Sequence, residues 1–411
     1  MRVLILVDCY LPSLKSSAKL IHDLGVEFYQ QGHEITILTP TNQITHNLEV
    51  SMEDGLRVAR VKTPQIKGAS KPIRGLHEAR LSSRVWRRGG TFLRDHPADL
   101  IIFYSPTIFW GSLVGRLKSL WHVPSYLILR DIFPDWTVDA GVLRRGLIYQ
   151  YFHRKAIQQY NNSDIIAVQS PGDLRYFSGN CAQRPYRLKV LYNWAALQEP
   201  DLPATQYRVQ FGLQNKVVFF YGGNLGVAQD VDNIVRLASS LVDRPEFHFL
   251  LVGEGDAVPR IQKAIAEKGL SNILLAPPVD QRQYLSMVSE FDVGMISLDR
   301  RLTNHNIPGK LLSYLYWGIP VLASVNPGSE LFDLIGNSRA GFCIINGEDE
   351  QLRAMTLELG QDAQLRVQMG KNARSLLEAT FSVESAVQQI LQDVSEISLT
   401  GRRDYRVVSS R

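Results

Sequence analysis

The sequence predicts an α/β protein of two doubly wound, Rossmann-like domains, and three observations carry the prediction. At 411 residues the chain is longer than one hydrophobic core usually serves. Short apolar strands alternate with helical stretches from the first residues onward, the pattern of parallel sheets covered by crossover helices. That alternation breaks over residues 193–215, where Pro200, Pro203 and polar residues intervene, and then begins again.

Val3-Leu4-Ile5-Leu6-Val7 is a continuous apolar run, as a strand buried on both faces requires. Residues 16–31 read as a helix stopped by Gly32, and residues 35–38 as the next strand, completing one βαβ unit. Strands at 99–103, 125–129 and 164–169 extend this first domain, taken as residues 1–195, and residues 196–215 read as a linker. Strands at 217–221, 248–252, 273–275, 293–296 and 320–323 build a second domain over residues 216–380. Residues 381–398 are expected as a helix packing back toward the N-terminal domain, and residues 399–411 as a flexible basic tail. Sheets wound this way bind ligands at the carboxyl ends of their strands, so two facing sheets should leave a cleft there.

Composition narrows the class. Apolar residues at 45% and charged residues at 21% match a soluble globular chain rather than a disordered or integral membrane one. No apolar run approaches the roughly 18 residues of a membrane span, and the first strand starts without a signal-peptide pattern, so a cytoplasmic protein is expected. Cys9, Cys181 and Cys343 are too few and too scattered for a disulfide framework or a zinc site. Basic residues exceed acidic ones by nine over residues 1–199 and fall four short over the remainder. Much of the excess lies in Lys67, Lys71, Arg74, Arg80, Arg84, Arg87 and Arg88, interleaved with Ile73, Leu76, Leu81, Val85 and Trp86. This segment reads either as a face for an anionic membrane or as a solvated basic loop and helix. RNA would feel the same charge, but no nucleic-acid partner is expected.

Several strand-end turns carry candidate chemistry. Gly222-Gly223-Asn224-Leu225-Gly226 precedes a helix expected near Asp230, so its backbone can approach a phosphate or sugar beside a helix N-terminus. Asp230-Val231-Asp232 spells Asp-x-Asp, but at a helix start aspartates serve as caps without any metal. Leu250-Leu251-Val252-Gly253-Glu254-Gly255 is a second glycine turn, and no strand is followed by a complete Gly-x-Gly-x-x-Gly, which disfavours a nicotinamide enzyme. Asn306-Ile307-Pro308-Gly309-Lys310 leads into a helix over 311–317 and puts an ammonium at its start, where the helix dipole disfavours it. A cation so placed suits a diphosphate leaving group. Beyond the next strand, Ser329 is a candidate cap and Glu330 a candidate acceptor of ribose hydroxyls. In the first domain Arg130 and Asp131 end a strand, ready to face the cleft or to pair with each other, and Ser105 follows another.

Tyr10-Leu11-Pro12, Gly32-His33-Glu34-Ile35-Thr36, Gly223-Asn224-Leu225-Gly226, Leu251-Val252-Gly253-Glu254-Gly255 and Pro308-Gly309-Lys310 ahead of Gly318-Ile319-Pro320-Val321 together resemble retaining glycosyltransferase family 4, in order and over almost the whole chain. Arg130-Asp131 with Pro134, Asn224-Leu225-Gly226 with Gln229, and Ile307-Pro308-Gly309-Lys310 resemble a bacterial branch that adds N-acetylfucosamine-type sugars during O-antigen or capsule assembly. The resemblance implies the GT-B fold, no metal and no cofactor, a UDP-sugar donor, and a polyprenyl-diphosphate-linked glycan acceptor at the inner face of the plasma membrane. It implies catalytic roles for Arg130, Asp131 and Lys310, and donor contacts from Gly223, Asn224, Gln229, Gly253, Glu254, Pro278, Asn306, Pro308, Gly309, Lys310, Ser329 and Glu330. Acceptor contacts fall to Ser16, Ser17, Ser105, Arg130 and Asp131. Two departures stand out. Asn224 and Gln229 occupy places where many members hold the diphosphate with arginine and lysine, and His305 and Ser313 stand where many members carry paired glutamates. A sugar-nucleotide epimerase on the same scaffold, or a noncatalytic nucleotide- or glycan-binding partner, are the alternatives.

Overall fold

Two parallel sheets organise the chain. The computed structural model describes residues 1–13, 16–64, 77–139, 143–179, 186–195, 197, 206–302 and 307–404. It divides into one unit of residues 1–196 with 383–411 and a second of residues 197–382.

In chain order the first unit holds β1 (Arg2–Leu6), α1 (Ser16–Gln30), β2 (Glu34–Thr41), β3 (Leu48–Glu53), β4 (Leu56–Lys62), α2 (Leu81–Asp95), β5 (Leu100–Tyr104) and α3 (Gly111–Trp121). Next come β6 (Ser125–Leu129), α4 (Asp135–Asp139), α5 (Leu147–Asn161), β7 (Ile165–Val168), α6 (Pro171–Gly179) and β8 (Leu188–Val190). The sheet order is β3-β4-β2-β1-β5-β6-β7-β8, parallel except where β3 runs against β4. The reversal of winding beside β1 creates a crevice at the carboxyl ends of its strands. Alternate residues of the buried strands feed two cores, Leu4 and Leu6 to one face, Val3 and Ile5 to the other.

The second unit holds α7 (Tyr207–Gln210), β9 (Val217–Gly222), α8 (Asp232–Ser240), β10 (Phe247–Val252), α9 (Val258–Lys268), β11 (Ile273–Ala276), α10 (Gln281–Glu290), β12 (Val293–Ser297), α11 (Lys310–Tyr316), β13 (Val321–Val325), α12 (Leu331–Ser338), β14 (Gly341–Ile345), α13 (Asp349–Gln361) and α14 (Ala363–Leu376). Its all-parallel sheet has the order β11-β10-β9-β12-β13-β14, with the change of direction between β9 and β12.

The last helix, α15 (Val383–Asp404), belongs to the first unit. Val383, Val387, Ile390 and Val394 enter the core beside Tyr126 and Trp194. Tyr126 donates to Asp393 at 2.9 Å, and Lys189 bridges Asp393 and Glu396 at 3.0 and 2.8 Å.

The structure corrects two expectations. The stretch read as linker contains α7, whose Tyr207 and Arg208 amides donate to the Glu290 carboxylate at 3.1 and 3.0 Å, a tether to α10 that no local pattern announces. The helix expected near Asp230 is present, beginning at Asp232 after a single 3₁₀ turn over Val227–Gln229. The basic, apolar-interleaved segment does not present its apolar residues outward where it is described. Leu81 and Val85 lie in the core, and Trp86 is held beside the guanidinium groups of Arg94 and Arg116 at 5.4 and 4.8 Å. Arg84 and Arg88 donate to the carbonyls of His77 and Lys62. Lys67, Lys71, Ile73, Arg74 and Leu76 lie outside the described residues. Among the described residues no helix is long and apolar enough to cross a membrane.

Candidate active site

A cavity of about 490 Å³ opens at the carboxyl ends of β9 and β10 in the second unit, beside its winding switch. Two glycine turns form its floor. Gly223 adopts a φ of +127°, which side chains avoid, and a Cβ at Gly253 would sit 1.8 Å from the Gly223 carbonyl oxygen. The turns are laced by Gly223 N–H to Val252 O at 2.9 Å and Leu225 N–H to Glu254 O at 2.8 Å. Glycine is needed here for backbone approaching backbone, which also leaves the surface above it open to a ligand.

Lys310, the first residue of α11, stands over this floor. Its Nζ lies 3.4 Å from the centre of the Tyr221 ring, and Tyr221 is fully buried with its hydroxyl donating to Asn224 O at 2.8 Å. Burial is the sole influence on the ammonium's pKa and pushes it down to about 7. No carboxylate among the described residues forms an ion pair with it. A lysine drawn in, starved of a counterion and aimed at an open cavity is arranged to meet an anion that arrives from outside.

The remaining lining comes from Asn224, Glu254, Pro278, Val279, Tyr284, Gly309 and Ser313. Burial pushes the Tyr284 hydroxyl up to about 12, so it stays protonated. The Asn224 side-chain amide donates to Gln229 Oε1 at 2.8 Å, so the two neutral side chains bind each other. Asp232 of the Asp-x-Asp match is held by Arg260 at 2.8 Å, and Asp230 closes the 3₁₀ turn with a φ of +38°. Among the described residues no group of three or more His, Cys, Asp and Glu is placed to hold a metal.

The expected donor residues are therefore partly gathered. Gly223, Asn224, Gly253, Glu254, Pro278, Gly309 and Lys310 line one cavity, Gln229 joins through Asn224, and Pro308 shapes the turn by accepting from Leu311 N–H at 3.0 Å. Ser329 and Glu330 do not line it. Glu330, not Ser329, holds the N-cap position of α12, and the Ser329 hydroxyl accepts from Leu331 N–H at 3.4 Å. Asn306 lies outside the described residues. Tyr221 and Tyr284 were missed. Only the fold brings Tyr284 to the cavity wall and lays the buried Tyr221 ring under Lys310.

In the first unit the expected site behaves differently. The buried Ser105 hydroxyl accepts from the backbone amides of Arg130 and Asp131 at 2.7 and 3.3 Å. The Arg130 guanidinium turns away from any pairing with Asp131, donates to the carbonyls of Leu191 and Tyr192, and lies 5.4 Å over the Trp194 ring. Arg130 thus braces the chain after β8, with Tyr104 beside its guanidinium, and it is not paired with Asp131. Asp131 is exposed, and partial desolvation with Asp173 nearby raises its carboxyl above the usual range. Ser16 and Ser17 open α1. A second cavity of about 390 Å³ lies at the ends of β1, β2 and β4, where Asp8, Thr39, Thr41, Asn42, Gln43 and Arg60 meet the Tyr10-Leu11-Pro12 turn. Only that turn was singled out in the sequence. Polar residues directly following β1 and β2 were the available signal for the rest.

Comparison with known proteins bears on both units. Residues 17–194 match the glycosyl transferase 4-like domain, and residues 204–376 match the glycosyl transferases group 1 domain. The chain is 22% identical over 426 residues to a protein of Escherichia coli (strain K12) named for colanic acid biosynthesis glycosyl transferase, WcaI, covering 96% of this chain and 100% of that one. It is 24% identical over 272 residues to a Pseudomonas aeruginosa protein named as glycosyltransferase WbjE, covering 65% of each. Among solved structures, Anabaena HepE in complex with UDP is similar at a TM-score of 0.63, with 17% identity over 96% of this chain and 100% of that one.

Proposed function

The chain is a glycosyltransferase of the GT-B fold, and from that premise we propose that it moves a sugar from a UDP-sugar to a polyprenyl-diphosphate-linked glycan in cell-surface polysaccharide assembly. The observation that carries the donor half is Lys310, a desolvated ammonium without a carboxylate partner over a glycine floor. HepE, a protein of the same fold, was solved with UDP, and WcaI is named for colanic acid, which supports the donor class and the type of product. The donor sugar we assign is an N-acetylated deoxyhexose such as N-acetyl-L-fucosamine, on the strength of the motif resemblance alone.

In this reading the diphosphate rests on the Gly223 and Gly253 turns, and Lys310 neutralises the charge that builds on the departing phosphate oxygen. That oxygen takes the proton of the acceptor hydroxyl, which attacks from the face the diphosphate leaves. The new glycosidic bond forms as the old one breaks, and configuration is retained. The polar groups of Glu254 and Ser313 line the cavity and meet hydroxyls of the donor, with Ser329 and Glu330 outside that lining. The first unit receives the acceptor, with Asp131 orienting its hydroxyl and the cavity beside Asp8 and Thr39 sorting its sugars. Enzyme and acceptor meet at the inner face of the plasma membrane.

The test is a thermal-shift panel of UDP, GDP, ADP and dTDP sugars, followed by mass spectrometry of products with and without a lipid-linked acceptor. A ligand bound only by the folded state raises the melting temperature. Stabilisation by UDP compounds and an acceptor-dependent mass increase are expected. An altered sugar nucleotide formed from donor alone would mean an epimerase, and binding without any product would mean a noncatalytic partner.

A further inference from the structure

Among the described residues of the first unit, the start of α5 carries the most exposed apolar cluster. Leu147 is 84% exposed, Ile148 63% and Tyr151 41%, although each is large enough to favour burial strongly. The same helix is anchored from its other side. Ala156, Gln159 and Tyr160 are buried, and Tyr149 donates to Asp135 at 2.7 Å, where Tyr176 also donates at 2.9 Å. The exposed cluster is therefore held out by a fixed helix with a fully used inner face.

Along the chain the tip is flanked by basic residues, and the nearby Asp135 carboxylate is already engaged by Tyr149, Tyr176 and His153. Exposed Arg144 and Arg145 precede the apolar tip, and exposed Arg154 with Lys155 follows one turn later. Leu147, Tyr151 and Arg154 share a face by their i, i+4 and i+7 spacing. No Asp or Glu occurs from residue 140 to residue 163. An apolar wedge flanked by arginines matches a surface with acidic headgroups above hydrocarbon. A symmetric contact with a second copy would set Arg144, Arg145 and Arg154 against themselves, which repels.

We propose that the Leu147–Ile148–Tyr151 tip of α5, with its flanking arginines, docks this protein on an anionic phospholipid bilayer. It gives a place to the membrane contact in the proposed function and rests on that reading for its purpose. Docking itself is measured without any transfer. The site replaces the 67–88 segment, whose described apolar residues are committed to the core.

The experiment pellets the full chain with vesicles of phosphatidylcholine alone or mixed with phosphatidylglycerol, and separately measures transfer to a water-soluble acceptor. Strong pelleting only with phosphatidylglycerol is expected, reduced at least tenfold by Leu147→Asp with Ile148→Asp, and weakened by Arg144→Gln with Arg145→Gln. These positions are exposed, so an unchanged melting temperature confirms that each variant is folded. Wild-type protein that stays in solution, variants that pellet like wild type, or a dimer that Leu147→Asp dissociates would each overturn the proposal. Retained transfer with no vesicle binding confines the failure to docking. Vesicle binding without transfer supports docking and sinks the transferase reading instead.

Discussion

Arg130 and Lys310 are both cations drawn inward near the carboxyl ends of parallel strands, one in each unit, and their charges go to opposite uses. Arg130 donates through its two terminal nitrogens to the carbonyls of Leu191 and Tyr192 and rests on Trp194. Among the described residues Lys310 meets the face of Tyr221 and no carboxylate, and burial pushes its pKa down to about 7. A guanidinium presents a fork of donors that can span two carbonyls, whereas an ammonium is a compact charge that deprotonates when it is desolvated. The difference teaches that a cation at a strand end becomes a site candidate only after its hydrogen bonds have been followed to their partners.

The contrast can be broken first at Lys310. Lys310→Ala should lower turnover about 100-fold or more while leaving the melting temperature within a few degrees, read by steady-state kinetics and calorimetry. Turnover at the wild-type level would remove the lysine from the chemistry. Arg130→Ala should do the reverse. Losing charge-assisted bonds to two carbonyls should reduce stability by about 2 kcal/mol or more in chemical denaturation, with folded molecules keeping most of their donor affinity. Stability equal to wild type would mean that the brace is idle.

Acidity sharpens the same contrast. Between about pH 7 and the ordinary lysine pKa near 10.4, the unfolded chain holds a proton that folded Lys310 has released, so stability without ligand rises with pH through this window. The penalty is fully present below about pH 7. A bound diphosphate restores the proton, so affinity for UDP should fall by up to about tenfold per pH unit above 7. Titration calorimetry in buffers of different ionisation enthalpy should show proton uptake, and Lys310→Met should abolish it. A pH-independent affinity in the wild type would sink this account. The smallest effect is expected from Asn224→Arg, which breaks the bond to Gln229 and adds a cation beside the cavity. UDP should bind several-fold more tightly, and weaker binding would show that the neutral pair is itself a contact.

Parts of this were legible in the residues. Uninterrupted apolar runs marked β1, β5, β6 and β9 because a strand covered on both faces leaves no room for polar side chains. The hairpin of β3 and β4 escaped notice, since Glu49, Glu53, Arg57 and Arg60 stand in it and its outer strand is half in water. The edge strand β8 is only three residues long and partly exposed, too short to show a period, whereas the apolar run of β14 lay within reach of the same pattern and went unread. The glycine turns and Lys310 were visible because both break local rules: glycines where a strand should continue, and a cation at the wrong end of a helix dipole.

By itself, then, the sequence determined the class of fold, most of its buried parallel strands and the glycine turns that follow two of them, because periodicity and backbone chemistry are local. Only the tertiary structure decided which polar groups share a cavity and which are used up. Arg130 finds its carbonyls about sixty residues away, Tyr221 comes to lie under Lys310 from another element, and α5 is left with an apolar tip because its neighbours cover the opposite face. Those outcomes depend on partners distant along the chain, and the free energy of a polar or apolar group is set by what surrounds it after folding.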